Sequence, residues 1–429
     1  MAHNLSDNKS FYDEFIQNPD KNLSRIKGIL FKLGNPEKNL GNTIHIAGTN
    51  GKGSTLAVLK SCLIQNNYSV NAFISPHLMS LNERIVVNNK VIDDPLLNKI
   101  IIQCLENTNK KRLSFFEFIT ACALEIFSKN LSDWNLIEVG MGGSYDATNA
   151  LAKKDLCIIT PISFDHQIFL GNSLVEIAKE KLGIINEESP VVFGPQDSSL
   201  KEVIIDYLLL RRSKGLFYGD DWDIKKKGTD LIAYEDKFGK LEINSIGLNG
   251  DHQIINAGIC IASLKFLQRE GKIQIDDDKI RRGIKTVSWP GRLSKLPGRT
   301  NDLLMDSCEI WVDGCHNPAG SKVISKAISD MNIFNKKETI LILGLSEHKN
   351  INQFIMNFRD ISKEIMVVPL RGRESINFIE IKNPAEAMDY SITRESSIND
   401  ALKTLKKREN IRVLICGSLY LVSEALLMD

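Results

Sequence analysis

The chain has 429 residues, of which 43% are hydrophobic and 25% are charged, and its 54 Lys and Arg residues almost balance its 53 Asp and Glu residues. At roughly 150 residues per domain, this length predicts two or three globular domains and excludes a disulfide-held miniprotein. A net charge of +1 gives no electrostatic basis for nucleic acid or an anionic membrane as the main partner.

Cysteine usage and hydropathy indicate where the protein resides. The eight cysteines are scattered through mostly apolar runs without a CxxC motif, so we expect reduced core residues. Residues 1–20 are polar and lack the apolar region of a signal peptide. No later stretch approaches the roughly 18 continuous apolar residues of a membrane span. We therefore predict a cytoplasmic protein without a membrane segment.

The first part of the chain has the pattern of a parallel sheet with crossover helices. Between residues 43 and 193, short β-rich runs alternate with segments of helical period. Glycine-punctuated alternating segments near 216–246 then predict a small antiparallel β insertion. The strand candidates are 43–47, 68–74, 135–139, 156–162 and 191–193, and the helix candidates are 54–65, 115–127 and 252–268.

A second alternation of strands and helices begins near Ile310, after a region in which Pro290 and Gly291 break regular structure. We therefore predict an α/β protein with a doubly wound domain over residues 1–290 and a smaller Rossmann-like α/β domain over 291–429. The strand candidates of the second domain are 311–313, 339–343, 365–369 and 412–416.

The segment GTNGKGST, from Gly48 to Thr55, follows a predicted strand and opens a predicted helix, which is the context of a phosphate-binding loop. Its glycines let backbone N–H groups approach phosphate oxygens, and Lys52 supplies a cation for the β- and γ-phosphates. The general P-loop pattern places its first glycine where this chain has Ile46, so we predict a tighter variant that begins at Gly48. A glycine-rich turn with a solvent-exposed lysine is the less favoured alternative.

Two polar groups follow predicted strands at the carboxyl edge of the sheet, where ligands of such folds bind. Glu138 ends an apolar strand, and a carboxylate there needs a metal or a salt-bridge partner, of which we favour magnesium. The pair Asp165-His166 follows the next predicted strand and its loop. A lone histidine is more often structural, but beside a phosphate loop and Glu138 we interpret His166 as a candidate metal ligand or acid–base group.

Lys181 lies in a predicted helix from about 173 to 185, on the face that carries Leu174, Ile177 and Ile184. Burial there lowers the pKa of an amine and favours its neutral form, which reacts with carbon dioxide to give a carbamate, a carboxylate-like metal ligand. From the residues alone we favour a simpler alternative, in which the stem packs and the ammonium reaches solvent.

Together these motifs resemble the folylpolyglutamate synthase/dihydrofolate synthase family, the folate branch of the Mur ligase superfamily. The resemblance runs from about residue 30 to the C-terminus, and GTNGKGS distinguishes the folate branch from Mur ligases, which usually carry GTNGKT. It implies a Mur-ligase-like ATPase fold for the first domain. Further ordered motifs carry it: Ser75-Pro-His-Leu, Asn82-Glu-Arg-Ile, Ser114-Phe-Phe-Glu, Asp146-Ala-Thr-Asn, Glu180-Lys-Leu-Gly-Ile, Trp289-Pro-Gly-Arg, Asp313-Gly-Cys-His-Asn-Pro and Gly417-Ser-Leu-Tyr.

The resemblance implies an ATP-dependent amide ligase. Such an enzyme adds L-glutamate to dihydropteroate, to reduced folate (poly)glutamates, or to both, through an acyl phosphate. It further implies two Mg²⁺ ions and a monomeric protein. The ATP-binding residues it implies are Thr49, Asn50, Gly51, Lys52, Gly53, Ser54, Asn256, Arg292 and, from the second domain, Asp313.

The remaining site residues are also implied by the resemblance. The metal ligands would be Ser75, Glu138, His166 and Lys181. The lysine would be carbamylated, which reverses the preference stated above. The catalytic groups would be Lys52, Lys181 and His316, with His316 near the glutamate and phosphate end of the site. The segment that faces the pterin would comprise Ser114, Tyr145, Asp146 and Ala147.

Three positions depart from the family's pattern. Ser144 stands where GGRLDATN has an arginine, and Asn186 stands where a lysine commonly follows EKxGII. In the second domain, Glu347-His-Lys-Asn replaces an aspartate-rich segment. We expect these differences to modulate catalysis rather than abolish it, with the change at Ser144 altering pterin contact.

Two other functions stay open as alternatives. Another Mur-superfamily ligase acting on a non-folate carboxylate is one, because nucleotide chemistry is shared across the superfamily while acceptor pockets diverge. A nucleotide-binding regulator without turnover is the other. Retention of Glu138, His166 and Lys181 argues against it, because a protein that only binds nucleotide has no evident need for a metal-site lysine.

Overall fold

A computed structural model describes residues 15–16, 22–108, 113–228, 231–296, 303–346, 350–372 and 374–428 of the protein. The chain forms two compact units, one of Met1–Gly247 with Ile254–Val287 and the other of Leu248–Gln253 with Ser288–Asp429. Each unit is built around a large sheet of its own.

The large sheet of the first unit has eight strands. They are β1 (Asn42–Ala47), β2 (Val70–Phe73), β3 (Ile85–Val87), β4 (Lys90–Val91), β5 (Trp134–Glu138), β6 (Leu156–Ile159), β7 (Val191–Phe193) and β8 (Gly215–Phe217). Their order across the sheet is β4-β3-β2-β5-β1-β6-β7-β8. From β2 to β8 the neighbours are parallel, whereas β3 and β4 form an antiparallel edge. The central strands are buried on both faces, which explains their continuous apolar sequences.

Helices connect these strands. Helix α2 begins at Lys52, within the predicted phosphate-loop segment, and α4 is buried along most of its length, as its apolar sequence predicted. The helices up to residue 287 are α1 (Ser24–Lys32), α2 (Lys52–Gln65), α3 (Asp94–Glu106), α4 (Phe115–Lys129), α5 (Gln167–Leu170), α6 (Leu174–Leu182), α7 (Lys201–Arg211), α8 (His252–Arg269) and α9 (Asp277–Thr286).

A small separate sheet lies where the sequence predicted a β insertion. It consists of β9 (Trp222–Lys227), β10 (Leu231–Asp236) and β11 (Gly239–Ile243), which are antiparallel. Asp236 links this sheet to α8, because its Oδ2 accepts hydrogen bonds from the Tyr234 hydroxyl at 3.1 Å and from Arg269 Nη1 at 2.9 Å.

The sheet of the second unit has six strands: β12 (Ser294–Lys295), β13 (Glu309–Val312), β14 (Glu338–Leu343), β15 (Ser362–Val367), β16 (Ser391–Arg394) and β17 (Ile411–Cys416). They lie in the order β12-β13-β17-β14-β15-β16, with β12 antiparallel and the others parallel. The helices are α10 (Pro318–Phe334), α11 (Ile351–Met356), α12 (Phe378–Ala387), α13 (Ile398–Thr404) and α14 (Leu419–Leu427).

The predicted α/β class is confirmed in both units. The strands that the sequence did not predict are short or at an edge, among them β4, β12 and β16, whose side chains are largely exposed and form no apolar run. All eight cysteines are buried as free thiols, in agreement with the prediction. Among the described helices, none has the length and apolar character needed to cross a bilayer.

Candidate functional site

The carboxyl ends of four adjacent parallel strands carry several of the predicted nucleotide and metal residues. Strands β2, β5, β1 and β6 are consecutive in the sheet. Ser75 follows β2, Glu138 ends β5, the phosphate loop follows β1, and His166 lies after β6. Because the carboxyl ends of parallel strands share one edge of the sheet, these groups lie around a single region of the first unit.

The ammonium group of Lys52 donates hydrogen bonds to the backbone of its own phosphate loop. Lys52 is the first residue of α2, and its ammonium donates to the carbonyl oxygens of Gly48 and Thr49, each at 3.2 Å. The backbone N–H of Thr49 donates to Pro161 O at 3.0 Å, and its hydroxyl donates to Ser163 O at 3.0 Å. The loop after β6 therefore holds the phosphate loop, and this explains why the predicted strand 156–162 ends early, at residue 159.

Gly48 allows a close approach of two backbones. It has φ of +140°, and a Cβ added there would lie 1.9 Å from the Oγ1 of buried Thr160 and 2.9 Å from its carbonyl oxygen. We expect Gly48→Ala to lower the free energy of unfolding by about 2–3 kcal/mol, because the loop must shift to avoid this overlap, and to weaken ADP binding.

Gly34→Ala is the matched control for this variant. Gly34 also has a positive φ, +87°, but an added Cβ would meet no atom within 4 Å. Gly34→Ala should therefore lower the free energy of unfolding by only about 1 kcal/mol, the cost of placing an alanine at a positive φ. Urea unfolding and ADP titration of both variants test the difference, and equal losses of stability with unchanged ADP affinity for Gly48→Ala would contradict it.

Asn256 of α8 lies against the phosphate loop, although 201 residues separate it from its partner Thr55. The Thr55 hydroxyl donates to Asn256 Oδ1 at 3.4 Å. A Cβ on Gly51, which has φ of +91°, would lie 2.6 Å from the same oxygen. Asn256, predicted as a nucleotide residue, is thus brought to the loop.

Glu138 and Ser75 meet at the ends of β5 and β2. The Glu138 side chain is only 4% exposed, and its Oε2 accepts a hydrogen bond from the Ser75 backbone N–H at 3.1 Å. A buried carboxylate beside a serine offers the oxygen ligands that Mg²⁺ prefers. The two predicted metal ligands are therefore neighbours, and their chemistry fits that metal.

Lys181 reaches the phosphate loop from α6. It is 4% exposed, and its Nζ donates to the carbonyl oxygen of Gly48 at 3.0 Å. Burial, reinforced by the nearby charge of Lys52, lowers the pKa of Lys181 to about 7, although Asp165, Asp146 and Glu180 act in the opposite direction. This burial contradicts the alternative in which the amine reaches solvent.

His166 lies on the same edge of the sheet, directly before α5. It has φ of +50°, its side chain is 43% exposed, and its backbone N–H donates to Asp165 Oδ1 at 2.9 Å. It stays a predicted ligand.

The predicted pterin-facing residues occupy two local structures. Ser114 is the N-cap of α4, where its side chain accepts from the Glu117 N–H at 3.2 Å. Tyr145 is 49% exposed, whereas Asp146 and Ala147 are buried. Both oxygens of Asp146 accept bonds from the chain itself, Oδ2 from the Met141 N–H at 2.9 Å and Oδ1 from Thr148.

Three predicted residues belong to the second unit, where Asp313 joins two turns. Its Oδ2 accepts from the Leu293 N–H at 2.8 Å and its Oδ1 from the Cys315 N–H at 2.7 Å. Arg292 lies beside this arrangement, since a Cβ on Gly314 would be 3.3 Å from its Nη1. His316 Nδ1 is 2.9 Å from the Gly314 carbonyl oxygen.

Comparisons with known proteins place the chain in a family. Residues 299–428 match the family model of the dihydrofolate synthetase C-terminal domain. The dihydrofolate synthetase of Saccharomyces cerevisiae is 31% identical over 423 residues, which cover 94% of this chain and 96% of the yeast protein. The chain belongs to the dihydrofolate synthase/folylpolyglutamate synthase family.

Other members agree with this placement. The dihydrofolate synthase/folylpolyglutamate synthase of Bacillus subtilis is 30% identical over 425 residues, covering 94% of this chain and 93% of the relative. The solved structure of E. coli FolC in complex with DHPP and ADP has a TM-score of 0.84, with 24% identity and coverage of 98% of this chain and 96% of that one, which shows a common fold. The family, fold class and enzyme class predicted from the sequence, an ATP-dependent carbon–nitrogen ligase, are confirmed.

Two of the three departures from the family's pattern make local hydrogen bonds in the structure. Ser144 packs on the end of α6, since its N–H and hydroxyl both donate to Glu180 O, at 2.8 and 3.2 Å. Asn186 contacts the buried Lys154, whose ammonium donates to Asn186 Oδ1 at 3.1 Å. Residues 347–349 of the third departure lie outside the described residues.

Lys154 is a buried cation that sequence analysis missed. Its ammonium also donates to Asn149 Oδ1 at 2.5 Å and to Ile184 O at 2.6 Å. Burial lowers its pKa to about 8. Its only sequence signal was a lysine just before an apolar strand, which is common on protein surfaces. The asparagine at position 186 thus accepts a hydrogen bond from a buried lysine that comes from position 154.

The depressed pKa of Lys154 predicts a pH-dependent stability. The folded pKa of about 8 lies below the ordinary value of 10.5, so between these values the unfolded chain holds the proton and the folded chain releases it. This group therefore stabilises the fold most above its unfolded pKa, and the contribution falls as the pH decreases towards 8. We expect unfolding free energy to rise by up to about 1.4 kcal/mol per pH unit in this window.

Urea unfolding at several pH values above 8 measures this effect as the difference between wild type and Lys154→Met, which lacks the ionisable group. Lys153→Met is the control, because the Lys153 side chain is 78% exposed. Equal slopes of stability against pH in wild type and Lys154→Met would contradict the prediction.

His45 and Thr148 were also missed. The His45 side chain is fully buried within β1, and its Nε2 lies 2.8 Å from Thr148 Oγ1. A polar residue in a strand that is apolar on both faces was the available signal in the sequence, but it does not identify a partner 103 residues away.

Proposed function

We propose that this protein joins L-glutamate to dihydropteroate at the expense of ATP, forming dihydrofolate, ADP and phosphate. The names of its relatives support this acceptor, because the yeast relative is a dihydrofolate synthetase and the matched C-terminal model carries the same name. A reduced folate monoglutamate is the second candidate acceptor, which the bifunctional name of the Bacillus relative supports.

The contact of two lysines with one carbonyl oxygen carries the proposal. Lys52 and Lys181 both donate to Gly48 O, at 3.2 and 3.0 Å. Burial disfavours the charge of Lys181 and the nearby ammonium of Lys52 repels it, so the pKa of Lys181 falls to about 7 and this amine gives up its proton readily. The loop therefore has one cation to stabilise phosphate and one amine that is available for reaction.

The chemistry follows from the poor reactivity of a carboxylate towards an amine. An oxygen of the acceptor carboxylate attacks the γ-phosphorus of ATP, the bond to the β-phosphate oxygen breaks, and ADP and an acyl phosphate form. The ammonium of Lys52 offsets the charge that develops on the transferring group. The glutamate amine then attacks the acyl carbon, loses a proton, and displaces phosphate to leave an amide.

The residues present fit magnesium and a carbamylated lysine. Ser75 and the buried carboxylate of Glu138 would hold the metal, with His166 and the carbamate of Lys181 as further ligands. Bound Mg²⁺ would supply positive charge close to the phosphates. The carbamate forms when the neutral Lys181 amine adds carbon dioxide and releases one proton.

Phosphate release with ATP, Mg²⁺ and L-glutamate tests the function. Dihydropteroate, a reduced folate monoglutamate and a UDP-muramyl substrate are compared, and products are identified by mass. We expect release with dihydropteroate and a product heavier by one glutamate residue. Release with the UDP-muramyl substrate alone would favour another Mur-type ligase, and no release with any acceptor would overturn the proposal.

A further inference from the structure

A buried chain of hydrogen bonds connects the strand of the phosphate loop to the segment that follows Glu138. His45, in β1, lies 2.8 Å through Nε2 from Thr148 Oγ1, and the Thr148 hydroxyl donates to Asp146 Oδ1 at 2.5 Å. The Thr148 N–H donates to the same oxygen at 3.0 Å. All three side chains are at least nine-tenths buried.

The direction of these hydrogen bonds determines which ring nitrogen of His45 carries the hydrogen. A threonine hydroxyl has one hydrogen, which goes to Asp146, so Thr148 Oγ1 accepts from His45 and His45 carries its hydrogen on Nε2. Burial, together with the charge of Lys154, holds the pKa of His45 well below its usual range, so the ring stays neutral. Its Nδ1 has no hydrogen-bond partner among the described residues. The ring therefore serves to donate to Thr148.

The other end of the chain reaches the turn beyond Glu138. Asp146 Oδ2 accepts from the Met141 N–H at 2.9 Å. The segment is also fixed on its other side, where the Ser144 N–H donates to Glu180 O at 2.8 Å. A Cβ on Gly143 would lie 2.5 Å from that same oxygen, which leaves the segment no room to move towards α6. Residues 141–148 thus bridge the helix of Lys181 and the strand of the phosphate loop.

We propose that His45 and Thr148 are positioning residues that hold the segment 145–147 at a fixed place relative to the phosphate loop. The inference rests on the proposed function and on the expectation that this segment faces the pterin. The basis of the proposal is that both carboxylate oxygens of Asp146 accept hydrogen bonds from residues 141 and 148, so the carboxylate holds the two ends of the segment together. Removing the relay then loosens the acceptor site, while Lys52 and its loop keep their own contacts.

Thr148→Val and Thr148→Ser form a matched pair for the test. Valine keeps the shape of threonine and removes the hydroxyl, whereas serine keeps the hydroxyl. We expect Thr148→Val to raise KM for dihydropteroate by about tenfold, which corresponds to a loss of about 1.4 kcal/mol of binding free energy. The kcat and the KM for ATP should be nearly unchanged. Thr148→Ser is expected to behave like the wild type.

His45→Gln and His45→Leu extend the test to the other end of the relay. Glutamine retains an N–H donor and is expected to restore most of the acceptor affinity that leucine loses. The double variant His45→Leu/Thr148→Val is expected to be no worse in KM for dihydropteroate than the worse single variant, because both changes break the same chain. Thermal unfolding with and without ADP identifies any variant that fails to fold, and the remaining variants then decide the question.

The outcomes separate the inference from the function on which it rests. A wild type that turns over no pterin overturns the proposed function. A wild type that makes dihydrofolate, with an unchanged KM for dihydropteroate in Thr148→Val, overturns the relay alone. Parallel rises in KM for ATP and for dihydropteroate would also overturn it, because they would indicate a general loosening of the phosphate loop.

Discussion

Replacing Lys52 by methionine is expected to lower kcat for phosphate release by about 10³-fold, the effect of removing one group that stabilises charge in the transition state. The ammonium is held over the loop by the carbonyl oxygens of Gly48 and Thr49. Methionine keeps the apolar stem and removes the cation. Steady-state phosphate release with dihydropteroate measures the loss.

Lys60→Met is the control for this variant. Lys60 lies on the same helix, α2, and is half-buried, but it is outside the phosphate loop. We expect the kcat of Lys60→Met to stay within about threefold of the wild-type value. The free energy of unfolding of both variants should lie within about 1 kcal/mol of the wild-type value. A Lys52→Met enzyme that retains more than a tenth of wild-type kcat would show that the loop cation is not required.

The second large effect is expected at Lys181. Lys181→Met should lower kcat by about 10²- to 10³-fold, because it removes the amine that would become a metal-binding carbamate at the phosphate loop. Lys179→Met is the control, since Lys179 is exposed on the same helix. The Mg²⁺ concentration needed for half-maximal rate should rise in Lys181→Met and stay constant in Lys179→Met.

The pKa of Lys181 sets the pH dependence of this effect. With a pKa of about 7, the amine is mostly protonated below pH 7 and mostly neutral above it. Only the neutral amine adds carbon dioxide, so enzyme depleted of carbon dioxide should regain activity with bicarbonate above pH 7 and regain little below it. Labelling with ¹³C-bicarbonate should give a carbamate signal that is absent from Lys181→Met. Full activity without carbon dioxide at any pH would contradict the carbamate.

The parts of the site that are local in sequence were predictable. The phosphate loop needs only a strand, a loop and a helix in succession, and the helical period placed Lys181 on an apolar face. In the structure, the Lys181 amine on this face contacts the carbonyl oxygen of Gly48, which lies 133 residues earlier in the chain. Sequence periodicity indicates which side of a helix is buried, but not which atom a buried amine meets.

The polar contacts inside the first unit were not predictable for the same reason. Thr148 meets His45 and Lys154 meets Asn186 only after the sheet and α6 have assembled. Asp146 shows the limit of a motif: the resemblance implies that its segment faces the pterin, and the structure adds that both carboxylate oxygens accept hydrogen bonds from residues 141 and 148. A motif does not indicate which atoms of its segment are held by internal hydrogen bonds.

The pairing of β1 has a consequence for the order in which the protein forms. Strand β1 lies between β5 and β6, whose partner residues come near positions 134 and 156, and Asn256 reaches the loop from still later in the chain. Closing such long segments before any contact is gained slows assembly. The phosphate loop therefore has all of these contacts only when the chain extends beyond residue 256. A shorter chain that ends before residue 156 has the whole GTNGKGS motif but lacks strand β6, which pairs with β1.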